Sequence, residues 1–538
     1  MERTDLDVLI AGAGPTGLVL ALWLARAGVR VRIVDPALAP GTTSRALILH
    51  ARTLEFYRQL GVADEAVKLG VEFSAVNMWV RGKRRARVPF GDIGRGVSRF
   101  PYMLVLPQDR QERLLIEHLA RAGVQVERGT SVTSFEQTDA SVTARLRTSG
   151  GSEAECRAAY LAGCDGAHST VRTQLGIGFP GGTYQDVYYV ADARVEGSAV
   201  DGELHVALDD ADFLAIFPLP ERGHVRFVGQ AHGGDTGANA SSWQDVDAKL
   251  VERMHLTVRQ VDWFSSYHVH HRVAESFRRG RVFLLGDAAH IHSPVGGQGM
   301  NTGIGDAVNL AWKLAGVIRG QTSERVLDSY EPERIAFARK LVATTDRVFQ
   351  IVSSSGPIAD FVRLRVVPLV LPLLVRLKAV KLWMFRTLSQ TAIRYRGSPL
   401  SAGRAGRVQG GDRLPWVALE PAEHGFPDNY APLDTRDWQV HSYGTAAVAL
   451  RALCAERGLT LHEFAWEPAM RGAGIRRNSV FLVRPDGYVA AAINGQGQNR
   501  TADTRIFSPL LYQLSYLAPT RANDRIGAGG RSPASDRI

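Results

Sequence analysis

The residues best placed to do chemistry stand in two glycine-rich stretches. In Arg281–Asn301 an apolar run, Val282 to Leu285, reads as a buried strand. Gly286 lets the backbone turn, and Asp287 then stands just past the strand's end, where α/β proteins place their ligands. Gly296, Gly297 and Gly299 follow, and from Met300 to Leu314 the apolar residues Ile304, Ala307, Val308, Ala311 and Leu314 recur at helical spacing. A helix start of this kind offers bare N–H groups to negative charge. Taken singly, the stretch describes an anion site of modest specificity.

The N-terminus sharpens that reading. Val8 to Ala11 is an apolar strand that runs into Gly12-Ala13-Gly14-Pro15-Thr16-Gly17, and a helix follows. A second strand, Val29 to Val34, ends in Asp35, 18 positions after Gly17. Gly12 permits a tight turn, Gly14 lets a pyrophosphate approach the backbone, and Gly17 lets helix and strand pack closely. Asp35 is placed to accept hydrogen bonds from a ribose. The pattern predicts a dinucleotide site. A third stretch, Cys164 to Arg172, carries Asp165-Gly166-x-x-Ser169-x-x-Arg172. A tight turn capped by Asp165 and Ser169 accounts for it equally well.

These three motifs, in this order, resemble the class A (single-component) flavoprotein aromatic hydroxylases typified by p-hydroxybenzoate hydroxylase. Ser44-Arg-Ala, Arg52-Thr-Leu-Glu55, Leu106-Pro-Gln-Asp109 and Leu482-Val-Arg-Pro-Asp-Gly-Tyr488 are similar to the phenol, polyketide and rifampicin hydroxylase branch. The resemblance spans roughly residues 5 to 490. It implies noncovalent FAD, with NADPH or NADH as transient reductant and molecular oxygen as co-substrate. It implies hydroxylation of a phenolic, polyketide or rifamycin-like ring through a C4a-hydroperoxide of the flavin. Gly12, Ala13, Gly14, Pro15, Thr16 and Gly17 would hold the pyrophosphate and Asp35 the ribose. Arg45, Gln108 and the backbone at Val132 would be further FAD contacts. Asp287 would meet the ribityl or phosphate region. Gly297, Gly299, Met300 and Asn301 would present N–H groups to the flavin N1–C2=O edge. The Pro294 loop would shield flavin C4a. Asp165 and Arg172 would serve both FAD and NAD(P)H. No catalytic base is named by either route.

The elements that must position these residues are of the α/β class; the resemblance implies a Rossmann-like FAD-binding domain (GR2 type), an inserted β-sheet substrate domain and a C-terminal thioredoxin-like α/β domain. Residues 1–72, 106–183 and 273–352 are assigned to the first, and 73–105 with 184–272 to an antiparallel sheet over the flavin. Trp79, Phe213, Phe217 and Phe227 would line its pocket. Residues 353–397 read as a helical connector. Residues 398–493 form the thioredoxin-like part; it lacks Cys-x-x-Cys, so packing or oligomerisation is its expected work. The pattern breaks beyond Asn494, and 494–538 reads as a disordered or non-native tail.

Composition sets the outer bounds. The chain has 538 residues, 45% hydrophobic and 22% charged, as soluble globular proteins do. Three cysteines fit neither a disulfide framework nor a metal set, and no metal is expected. The start carries no signal peptide, so a cytoplasmic location is expected. The formal charge of +10 comes from scattered arginines without a nucleic-acid motif; no nucleic-acid partner is expected, and the field favours anionic cofactors. His268 with His270, and His290 with His292, lack partnering cysteines or carboxylates and read as packing. The run Val366 to Val375 holds two prolines and is too short to span a bilayer. The expected partner is a small aromatic molecule, and the expected state a monomer or homodimer. A reductase or halogenase on the same fold, or a flavin-binding sensor or scaffold, is the alternative; the Trp-x-Trp-x-x-Ile-Pro of such halogenases is absent.

Overall fold

The strand Leu6–Ala11 lies inside a sheet of eight strands, flanked in parallel by Val31–Asp35 and by Glu153–Gly163. Val126–Arg128 extends the sheet beyond Val31–Asp35, and Val282–Leu284 extends it beyond Glu153–Gly163, both in parallel. Central parallel strands are covered on both faces, which is why Val8 to Ala11 and Val282 to Leu285 are unbroken apolar runs. The hairpin Thr130–Gln137 and Val142–Thr148 joins antiparallel through Glu153–Gly163. The computed structural model describes residues 6–41, 46–91, 93–208, 213–231, 242–246, 249–293, 295–353 and 361–494.

This strand order brings the motifs together. Gly12, Asp35, Cys164 and Gly286 each stand at or just past the carboxyl end of one of four adjacent parallel strands. Helix Pro15–Arg26 packs against helices Gln108–Arg121 and Gln298–Ile318. At Gly303 a side chain would sit 2.3 Å from the Thr16 hydroxyl, so the two glycine-rich helix starts touch almost directly.

The second sheet also has eight strands, in the order His290–Ile291, Thr257–Val273, Gly181–Glu196, His224–Ala231, Phe213–Pro218, Leu204–Leu208, Ala75–Val80, Lys83–Pro89. It draws strands from residues 75–89 and from residues 181–291, and is not wholly antiparallel. Leu204–Leu208 pairs with Ala75–Val80 in parallel. The two segments come from distant parts of the chain, so no hairpin sets their direction. Ala75–Val80 and Lys83–Pro89 form a hairpin that turns at Arg81 and Gly82, both with positive φ.

The third sheet takes Gln439–Tyr443, helix Val448–Glu456 and Thr460–Phe464 as a parallel β-α-β unit. After the short helix Pro468–Gly472, the hairpin Ser479–Val483 and Val489–Asn494 pairs onto Gln439–Tyr443. The helix expected from Met300 to Leu314 runs Gln298–Ile318. In helix Ala51–Gln59, Glu55 is a buried partner of Arg52, at 2.8 Å, and of Arg413. Residues 495–538, read as a tail, lie outside the described residues.

Candidate functional site

A cavity of about 830 Å³ lies where the helix starts of the first sheet meet the face of the second. On the first side it is lined by Gly14, Pro15, Thr16, Gln108, Cys164, Gly166, Asp287, and Gly296 through Met300. Thus Gly14, Pro15, Thr16, Gln108, Asp287, Gly297, Gly299 and Met300, all singled out from sequence, share one cavity. The other side is Phe73, Val76, Phe90 and Met103 with alternating residues of the second sheet.

That alternation corrects part of the expected pocket. Phe213, Ala215 and Phe217 face the cavity, as do Arg226, Val228 and Gln230, and Tyr188 and Val190. The period of two sends their neighbours to the opposite face. Phe227 is fully buried there, stacked on Trp243 at 5.4 Å, and Trp79 lies in the same second core. Trp79 and Phe227 are core residues and do not line the cavity.

The glycine loop shows two different demands. Gly12 has φ +101, and a side chain there would lie 2.2 Å from the Cys164 carbonyl oxygen; at Gly17 it would lie 2.0 Å from the Gly12 carbonyl oxygen. These two are required by the protein's own packing. Gly14 is different: a side chain there would meet nothing within 4 Å, yet the residue lines the cavity. It precedes helix Pro15–Arg26, whose start carries no side-chain cap. An open space before bare N–H groups at a helix start fits a pyrophosphate. Asp35 accepts from the Ala13 N–H at 2.7 Å and the Ala37 N–H at 2.9 Å, with Arg128 at 3.3 Å. Among the described residues, one terminal nitrogen of Arg128 is buried without a partner. Asp35 therefore shapes the loop directly. Gln108 donates to Glu112 at 2.7 Å, and burial raises the Glu112 carboxyl.

At the second helix start, Gly296 and Gly297 both have positive φ, and Gly297 would bring a side chain within 3.0 Å of Ile48. No side chain caps Gln298–Ile318. Asn301 does not face the cavity. Its amide donates to the Ile48 and Gly297 carbonyls at 2.8 Å each and accepts from the His50 N–H at 2.9 Å and Thr53 at 2.7 Å. It ties the glycine loop to residues 48–53. His292 donates from Nδ1 to the Ser293 carbonyl at 2.9 Å. Its Nε2 is consequently an acceptor, and among the described residues it is buried and without a partner, as is the Ser293 hydroxyl. Burial pushes the His292 imidazole down to about 4, so it is neutral. Two buried polar groups awaiting partners fit a polar cofactor edge.

Asp165 accepts from Ser169 at 2.5 Å and from the Val171 N–H at 3.0 Å. Arg172 donates to the Ala288 carbonyl at 2.9 Å and to the Ala167 carbonyl at 2.8 Å, and lies 3.9 Å over Phe179. Both side chains brace the turn, and Arg172 ties it to the Gly286–Ala288 turn. Val132 is buried in the hairpin strand Thr130–Gln137 and does not line the cavity. Arg45 and Pro294 lie outside the described residues.

The residue that sequence reading missed is Asp306. It is fully buried and accepts from the Gly286 N–H at 3.0 Å and from His290 at 2.7 Å, and pairs with Arg334 at 2.6 Å. Burial alone would raise its carboxyl; Arg334 and His290 outweigh that and hold it below the ordinary range. Arg334 reaches on to Tyr395 at 2.8 Å. The available signal was an acid amid the apolar residues of helix Gln298–Ile318, one turn before Leu310.

Fold and cavity define an α/β protein built to hold a flavin dinucleotide beside an apolar ligand. The FAD binding domain family matches residues 5–345. The chain is 34% identical to 6-methylpretetramide 4-monooxygenase of Streptomyces rimosus, over 99% of this chain and 98% of that one. That alignment extends past Asn494, where the sequence motifs run out. Anhydrotetracycline hydroxylase OxyS from Streptomyces rimosus superposes with a TM-score of 0.73 at 30% identity, covering 93% of this chain and 98% of that one. Aklavinone-11 hydroxylase, solved with FAD and aklavinone, gives 0.74 at 25% identity, covering 95% and 100%. The chain belongs to the class A FAD-dependent aromatic monooxygenases.

Proposed function

We propose that the protein hydroxylates an extended phenolic ring system of the polyketide or rifamycin type, with NADPH or NADH as reductant and O2 as co-substrate. One observation carries the reading: a single cavity of about 830 Å³ runs from the flavin-type loops to an apolar wall. That is near the upper end of small-molecule sites, roughly 300–1,000 Å³. Bound flavin supplies the redox chemistry: nicotinamide hydride and a proton reduce one atom of O2 to water while the other enters a ring C–H bond.

The chain's own part is binding and positioning. N–H groups at the start of Gln298–Ile318 hold the flavin N1–C2=O edge, and their dipole stabilises charge there. Asp287 serves the ribityl region. Asp35, through the loop it shapes, and the backbone at Val132 serve the adenosine end, Gln108 is a flavin contact, and Arg45 serves the pyrophosphate or ribityl chain. Asp165 and Arg172 hold the turn that the reductant passes. The Pro294 loop excludes water. On the substrate side the wall is aliphatic and aromatic, with Tyr188, Tyr267, Gln230 and Arg226 as its polar members. Arg226 is buried and held by Asp192 at 2.6 Å through two nitrogens, so it presents a fixed guanidinium to substrate oxygens.

We read the second sheet as the substrate domain, residues 353–397 as the connector and the third sheet as a thioredoxin-like domain. Cys454 stands alone there, and the domain's role is packing. Its turn residues Arg484 and Asp486 enter the flavin domain, where Arg484 pairs with buried Glu333 at 2.8 Å. The test is NAD(P)H oxidation with a panel of phenols and polycyclic polyketides, with products read by mass. Stimulation by an aromatic ligand and gain of one oxygen are expected. Full-speed flavin reduction without any aromatic ligand, and no oxygenated product, would favour a reductase instead.

A further inference from the structure

The segment Phe361–Leu388 combines two features that seldom occur together on an exposed surface. Helix Val367–Leu374 is apolar on every side. Pro368 and Val375 turn inward and are buried, while Leu369, Val370, Leu373, Leu374 and Leu377 form one outward stripe. Leu369 is 69% exposed, Leu373 59%, and Trp383 in the next helix, Lys378–Leu388, 67%. A helix packed on a water-facing surface keeps its outer face polar, so an apolar outer face marks a docking site.

The charge pattern says what docks. Between Phe361 and Leu388 stand Arg363, Arg365, Arg376, Lys378, Lys381 and Arg386, and no acidic residue. A second copy seated on this face would set one cationic border against another, since a two-fold contact is self-complementary. Residues 495–538 hold six arginines against three aspartates, so they too bring net positive charge. We infer that Phe361–Leu388 is a docking surface for an anionic lipid bilayer, lying in the interface with its leucines inserted. A bilayer supplies both required features, an apolar phase and a sheet of negative charge, with no shape to match. An acidic protein would need polar groups to pair with, and Val367–Leu374 offers no polar side chain. Among the described residues no helix is long and apolar enough to cross a membrane, so the contact lies on the surface. Leu388, at the end of the same segment, lines the cavity, which places the docked face next to the site.

The test uses the full FAD-loaded chain and sedimentation with phosphatidylcholine vesicles, with and without phosphatidylglycerol. Binding is expected to the anionic vesicles only, and to weaken as salt rises. Each cation near such a surface contributes about fivefold in partitioning, so Arg376→Gln with Lys378→Gln should lose about 25-fold. Leu373→Glu should abolish binding by burying a charge. These side chains are exposed, so flavin content and melting temperature should not move. Equal partitioning onto neutral and anionic vesicles would overturn the inference, as would wild-type binding by all three substitutions. A dimer that Leu373→Glu dissociates, without vesicle binding, would assign the face to a second copy. Vesicle binding gained only on removing residues 495–538 would assign it to that segment, and capture of an acidic protein with no lipid binding to a protein partner.

Discussion

Gly14 and Gly12 sit two residues apart in one motif, yet their substitution should fail in opposite ways. At Gly12, an alanine would need φ +101 and a methyl 2.2 Å from the Cys164 carbonyl oxygen. Strain and overpacking together should cost at least about 2 kcal/mol of stability. At Gly14 the backbone is extended, φ −76, and a methyl meets no atom of the described residues within 4 Å. Gly14→Ala should therefore fold with stability within about 0.5 kcal/mol of the parent. The methyl would instead occupy the space before the bare N–H groups of helix Pro15–Arg26. Losing one charge-assisted hydrogen bond there is worth about 1.5–3 kcal/mol, or roughly 10- to 150-fold in the Kd for FAD. The assay is flavin titration by fluorescence quenching, beside urea unfolding of each apoprotein. Wild-type FAD affinity in Gly14→Ala would refute the placement of the pyrophosphate. Equal destabilisation of the two variants would refute the reading of space around Gly14.

Further outcomes are expected from the buried polar groups. Asp306→Asn leaves Arg334 buried without its carboxylate and should cost about 3–5 kcal/mol in urea unfolding, with weaker FAD retention because the Gly286 turn loses its anchor. Arg484→Met leaves Glu333 with Lys313, at 2.9 Å, as its one remaining cation, and should raise amide exchange in the third sheet before the first. Asp35→Ala removes the acceptor of two loop N–H groups and should weaken FAD by about 1.5–3 kcal/mol; an unchanged Kd would show the loop holds its shape without it. Burial pushes His50 and His292 down to about 4 from an ordinary value near 6.5. The unfolded chain then binds protons that the folded chain does not, so stability is full above about 6.5 and falls with acidification, by ~2 kcal/mol per histidine at pH 5. Urea midpoints at pH 7 and pH 5 check this, and His292→Gln should show the shallower decline.

The three motifs were legible because each is set by local chemistry. A tight turn after a strand needs glycine at Gly12, and an apolar run reads as a central strand wherever it lies in the chain. Their meeting in one cavity followed from placing each at a strand's carboxyl end. The helix start at Gln298 was blurred by two residues because Gly296 and Gly297 carry the turn that no periodicity records.

Sequence alone thus determined the α/β class and the flavin motifs. Tertiary structure decided which face each strand turns to the cavity. Phe217 and Phe227 are equally apolar, and only pairing within the sheet separates the wall from the core. It decided that Leu204–Leu208 runs parallel to Ala75–Val80, since no turn connects them. It gave the side chains of Asn301 and Arg172 bracing roles. It also revealed Asp306, whose partners Gly286, His290 and Arg334 stand up to 28 positions away. A buried charge is stable only beside its counterion, and which residues become neighbours is a property of packing, absent from any local pattern.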